Sequence, residues 1–153
     1  MSKILIAVGS IIAIGAGYWL ISPLFIEKRV DEKLEDIMAA PAMEMLARGN
    51  FIGLLGHNAE GTATLVKIGD KYFVRFEEDF RVTNGPDLFV HFGKDGEYAA
   101  EARLDKLKGN VGGQNYEVPP GINPLDYNEV WVWCRAFSVA FGKAEFYNIS
   151  PKL

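Results

Sequence analysis

Two hydrophobic rhythms divide the chain. From Ile4 to Ile26, 23 consecutive positions carry no charge. At ~1.5 Å per helical residue such a run extends roughly 34 Å, against a hydrocarbon core of about 30 Å. A lone span in lipid must satisfy its own amides, so the run predicts a single transmembrane helix. Tyr18 and Trp19 fall towards its end, where amphipathic rings favour the water–lipid boundary. A cleaved signal peptide has a shorter apolar region and a small-residue cleavage site, whereas this run closes on Ser22-Pro23-Leu24-Phe25-Ile26. An uncleaved anchor over residues 1–26 is the expectation. Gly9, Ala13 and Gly17 recur every four residues, the spacing that lets two membrane helices approach and that suggests a helix-mediated homodimer.

Residues 27–49 carry a different pattern. Val30, Leu34, Ile37 and Met38 repeat at helical spacing among acidic and basic residues, which predicts a short amphipathic connector helix. Pro41 should end it near Ala40, and Met43, Met45 and Leu46 suggest a further turn before Gly49. The methionines read as packing residues of that connector rather than as metal ligands.

From Asn50 to Asn148 the period shortens towards two. GTATLVKI and KYFVRFE flank a two-residue break at Gly69-Asp70, the pattern of a tight hairpin. DFRVT and DLFVHF are separated by Asn84-Gly85-Pro86, and Lys94-Asp95-Gly96 and residues 108–113 mark further turns. QNYEVP precedes Pro119-Pro120-Gly121, which must leave the sheet, and EVWVWCR, FSVAF and KAEFY complete the series. The prediction is an all-β domain over residues 50–148, an antiparallel β-sandwich or partly closed barrel of eight or nine short strands. Residues 149–153 remain as a tail.

Composition narrows the chemistry mainly by exclusion. A net charge of −4 with scattered basic residues leaves no nucleic-acid footprint. One cysteine excludes an internal disulfide and a thiolate-rich structural zinc site, and there is no CxxCH haem-attachment motif. GxSxG, Walker and dinucleotide fingerprints are absent, so nothing marks a stand-alone enzyme. Glu77-Glu78-Asp79 with Asp87 is the one concentrated acidic patch. Its spacing matches no EF-hand loop, and it reads as a solvated strand end.

Three ordered segments resemble the DM-thirteen domain of Skeletor-type proteins: GHNAEGTATL, FEEDFRVTNGPDLFVHF, and LKGNVGGQNYEVPPGINPLDYNEVWVWCRAFSVAFGKAEF. The resemblance spans residues 51–146. It implies a β-sandwich, a proposed electron-transfer role, and a characteristic cysteine that maps onto Cys134. Relatives of this kind occur beside DOMON and b-type cytochrome domains, and no four-helix haem bundle is expected within these 153 residues. The cofactor is unknown from the sequence, with haem or copper implied by resemblance only.

The residues by themselves give Cys134 two readings. In Val130-Trp131-Val132-Trp133-Cys134, alternation places Val130, Val132 and Cys134 on one face and both tryptophans on the other. A thiol beside two valines is a small packed hydrophobe. A functional thiol needs exposure and a nearby positive group, and an unpaired cysteine outside the cytoplasm is itself unusual. His57 and His91 are the remaining candidate metal ligands, each also readable as a hydrogen-bonded structural histidine.

Basic residues flank the apolar run on both sides, Lys3 on one and Lys28, Arg29 and Lys33 on the other. Their count favours a cytoplasmic C-terminal flank, whereas a signal anchor exports the folded part. An extracytoplasmic β-domain is the expectation. Two functions follow: a membrane-tethered redox module using Cys134 with a redox protein partner, or an adhesion or scaffold module in which Cys134 is only packed.

Overall fold

The computed structural model of the protein describes residues 2–22, 26–37 and 43–148, without side chains for Ser2, Trp19, Leu20 and Asn148. The apolar N-terminal run forms α1 (Ser2–Ile21), with Ile4, Leu5, Ile11 and Ile14 exposed around it. The helix stops short of Ile26. Ser22 precedes a proline, a position where helical geometry is sterically disfavoured. The predicted continuous helix over 4–26 is corrected to one that ends at Ile21, and among the described residues no helix is long and apolar enough to cross a membrane. The predicted boundary role of Trp19 lies outside the described side chains.

The connector is not an amphipathic helix. Residues 26–33 run extended as a strap, followed by a single 3₁₀ turn at Leu34–Asp36. Val30 N donates to Val111 O at 2.9 Å and Glu32 N to Gly113 O at 3.0 Å. Arg29 and Val111 form a parallel bridge. Partners on another segment thus take up backbone groups that a helix would satisfy internally, and tertiary contacts override the local periodicity. Met38 and Pro41 lie outside the described residues.

The rest is β-structure. The strands are β1 (Met43–Gly53), β2 (Ala59–Glu60), β3 (Thr62–Ile68), β4 (Lys71–Phe76), β5 (Arg81–Val82) and β6 (Leu88–Lys94). They continue as β7 (Glu97–Lys106), β8 (Gln114–Glu117), β9 (Glu129–Cys134), β10 (Val139–Glu145) and β11 (Tyr147–Asn148). The main sheet has the order β7-β6-β9-β10-β1-β3-β4-β8, with β11 also on β1 and a separate β2-β5 ribbon. Every strand pair in it is antiparallel.

One curled sheet therefore replaces the two layers of a sandwich, and of the two expected architectures the partly closed barrel is the one found. The bend is built into β1. Its residues 43–50 pair with β3 and its residues 51–53 with β10, so one long strand carries the sheet around the core. Met43 and Met45 belong to this strand rather than to a connector. The edges β7 and β8 approach without pairing; Lys108 N donates to the Tyr116 hydroxyl at 3.1 Å across the gap.

Sheet curvature turns one face of every strand inward. Phe51, Phe76 and Phe80 pack with centroids 4.5–4.9 Å apart, joined by Val74, Val90, Phe92, Val130, Val132 and Cys134. Strand β7 and the merging of FSVAF with KAEFY into β10 were not predicted. A bulge between Ala140 and Gly142 keeps β10 in one piece, and β7 is an exposed edge strand with weak alternation.

Candidate functional site

Alternation in β6 and β9 places the candidate residues on opposite faces of the same two strands. Leu88 faces Cys134 across the pair, Phe89 faces Trp133, and His91 faces Trp131. The inward set comprises Leu88, Val90, Phe92, Val130, Val132 and Cys134. Phe89, His91, Trp131 and Trp133 project outward and make their ring contacts there.

Cys134 is 0% exposed. Besides Leu88, its cross-strand neighbour on the other side is Val139. Arg135, next in sequence, points away and pairs with Asp87 at 2.8 Å. The Asn84-Gly85-Pro86 turn covers this end of the core. A cleft of about 390 Å³ opens beside the turn, walled by Ile26, Gly85, Pro86, Leu88 and Leu107 among others. Leu88 thus borders the cleft and neighbours the thiol. Gly85 does not occupy a left-handed conformation. A β-carbon there would lie 2.8 Å from Leu88 Cδ2 and 2.9 Å from Phe141 Cε1, so close packing explains the glycine.

The histidines do not join the cysteine. His57 lies in the loop after β1, its ring stacked on Phe141 at 3.7 Å and 10°. His91 is 4% exposed on the outer face. Among the described residues no group of three or more His, Cys, Asp and Glu is placed to hold a metal. A sulfur sealed in an apolar core, with no imidazole beside it, does not fit a copper or haem ligand set. The acidic patch is dispersed over protein partners: Asp79 accepts from Thr62 N and Oγ1, Glu77 from Thr64 and Arg75, and Asp87 from Arg135.

The outer face holds the more organised polar chemistry. Strand β7 bulges on both sides of its His91 pairing, and five residue steps from Tyr98 to Arg103 oppose two from Gly93 to His91. The bulge turns two groups onto the imidazole. Ala99 O lies 3.2 Å from Nδ1 and the Tyr98 hydroxyl 3.3 Å from Nε2. A carbonyl only accepts, so Nδ1 carries the proton and Nε2 accepts from Tyr98. Burial above all pushes His91 down to about 4, with Ala99 and Glu101 opposing and Arg103 assisting. Burial raises Tyr98 as well.

Tyr98 stacks on Trp133 at 4.2 Å and 13°. Beyond Trp131, the buried Glu129 carboxylate accepts from Gly96 N, Trp131 Nε1 and Lys143 Nζ. Sequence reasoning missed Tyr98, Glu129 and Lys143. Alternation marked the outward face of β9, but the bulge that delivers Tyr98 leaves no periodic signal.

The family model described as Electron transfer DM13 matches residues 51–146. The matched span contains every strand from the bend of β1 to the end of β10, together with Cys134, His57 and His91. No curated protein and no solved structure matches the chain. A family match over more than half the chain, carried by the strands that build the curled sheet around Cys134, makes this protein a member of the electron transfer DM13 family.

Proposed function

We propose that the protein is an electron-transfer module held at a membrane, with Cys134 as its redox group. The observation that carries this reading is the family match, whose span includes the chain's single thiol. Position supports it: Leu88 alone of the cross-strand neighbours borders both Cys134 and the adjacent cleft, and electron transfer does not require the sulfur itself to touch solvent. The tether is the uncharged segment 4–26, whose described helix exposes apolar side chains on all sides and needs an apolar environment. The β-domain lies outside the cytoplasm in this reading, where an unpaired thiol is conspicuous.

A specific observation favours a second reading. Cys134 is fully buried among apolar residues, which suits a packed residue in an adhesion or scaffold domain. The two readings separate by film voltammetry, optical spectra and native-state thiol labelling on the purified chain and its Cys134→Ser variant. The redox reading expects a signal that serine abolishes. A chain that is electrochemically and spectrally silent, and inert to thiol reagents until unfolded, leaves Cys134 with packing alone. In that case Cys134→Ser lowers stability by about 1–3 kcal/mol through an unpaired buried hydroxyl, and the binding-module reading replaces the redox one.

A further inference from the structure

The outer face of β6, β7 and β9 holds an arrangement suited to moving one electron together with one proton. Tyr98 is the tyrosine whose hydroxyl meets an imidazole among the described residues; Tyr116, by contrast, donates to Gln114. The receiving nitrogen is free because the Ala99 carbonyl holds the ring proton on Nδ1. His91 is 4% exposed, so water does not compete for that nitrogen, and its depressed basicity keeps it neutral at physiological pH. The Tyr98 ring lies flat against Trp133, and both are only partly buried, which opens an aromatic contact to the surface. The double bulge of β7 builds the pair, since a regular register would not bring Tyr98 and Ala99 onto one imidazole.

We propose that Tyr98 and His91 form a proton-coupled redox pair, reached through Trp133, that gives one electron to a high-potential one-electron oxidant such as an oxidised metal complex. In this step the Tyr98 O–H bond breaks and an Nε2–H bond forms on His91. Tyr98 becomes a neutral phenoxyl radical, His91 becomes imidazolium, and the oxidant is reduced by one electron. A one-electron reductant, such as a reduced metal complex, then returns Tyr98 to the phenol as the proton passes back from His91 Nε2 along the same hydrogen bond. The inference rests on the electron-transfer reading of the domain but assigns the chemistry to a group other than Cys134.

The experiment flash-oxidises the full chain, in detergent, with photo-generated tris(bipyridine)ruthenium(III), and follows the tyrosyl radical by transient absorption and electron paramagnetic resonance. A fast-forming neutral tyrosyl signal is expected, absent in Tyr98→Phe and retained in Cys134→Ser. His91→Gln removes the positioned base and should slow its formation by roughly 10²-fold, the scale of general-base assistance. Because His91→Gln disturbs a buried site, the wild-type rate is also compared in H₂O and D₂O, where a solvent isotope effect is expected. A fast signal that survives Tyr98→Phe, or a wild-type rate insensitive to deuterium, overturns the pair. A tyrosyl signal in a chain whose thiol is silent in film voltammetry overturns the role of Cys134 and supports the pair, whereas a voltammetric signal abolished by Cys134→Ser with no tyrosyl signal overturns the pair alone.

Discussion

Gly85 sits against Leu88 and Phe141 with no room for a side chain, and Phe141 has nowhere to retreat because His57 stacks on its ring. Gly85→Val should therefore destabilise the domain by about 1–3 kcal/mol through overpacking, read as a lower denaturation midpoint. The half-buried imidazole of His57 acts here as a structural wall. His91 carries a pH dependence. Its folded value near 4 lies below the ordinary 6.5. Between those values the unfolded chain binds a proton on His91 that the folded chain does not. The contribution is fully present above about pH 6.5, falls as pH drops towards 4, and amounts to roughly 3 kcal/mol at most. Glu101 and Arg103 act on the same ring in opposite directions, so the comparison needed is wild type against His91→Gln. Stability measured from pH 7 to pH 4 should fall less steeply in the variant.

At the scale of elements, the strap decides how the β-domain meets what precedes it. Glu32 accepts from Lys108 Nζ at 2.8 Å and Asn115 N at 2.8 Å, Asn115 Nδ2 donates to Lys33 O, and Arg75 Nη1 donates to Glu32 O. Gly112 has φ +95°, and a β-carbon there would collide with Val30 O. The strap is thus hydrogen-bonded into the domain although it lies outside the family-matched span. Glu32→Ala strands the Asn115 amide and breaks the ion pair with Lys108, which keeps its bond to Asn115 O, and should cost about 1–3 kcal/mol. Amide exchange at Val30 and Glu32 should be slow in the wild type and accelerate in Glu32→Ala. Exchange at these amides as fast as in an unfolded chain would show that the strap does not dock. Turn chemistry, in contrast, was readable directly. Asp95 and Gly96 both take positive φ in the two-residue β6–β7 hairpin, as an Asp-Gly pair favours.

For the whole molecule, the strap brings the chain from α1 to one end of the curled sheet. Asn84 Nδ2 donates to Ile26 O, and Arg81 pairs with Glu27, so the chain from α1 arrives beside the β5–β6 turn. Because the strap is hydrogen-bonded to the domain, a membrane tether would hold the cleft beside Gly85 and Pro86 close to the bilayer. The full chain should sediment with membranes and resist alkaline extraction, and a chain beginning at Ile26 should be released. External protease should reach the β-domain in intact cells; protection would reverse the proposed orientation, and extraction of the full chain by alkali would remove the span.

The β-class, the hairpin turns and the facing of β6 and β9 followed from sequence alone, because side chains alternate with period two wherever one face of a strand is buried. Cys134 beside Val130 and Val132, with Trp131 and Trp133 on the other face, was placed by that rule alone, whereas the pairing of β6 with β9 that sets His91 against Trp131 was not. The curl of a single sheet could not be read so, since it depends on β1 pairing with two different strands along its length. Local periodicity suggested a helix where the strap runs, because the partners that outbid intrahelical hydrogen bonds come from Val111, Gly113 and Asn115, some 80 residues away. The Tyr98–His91 contact was hidden for the same kind of reason. An edge-strand bulge is an irregularity in register, and register exists only once two strands have met.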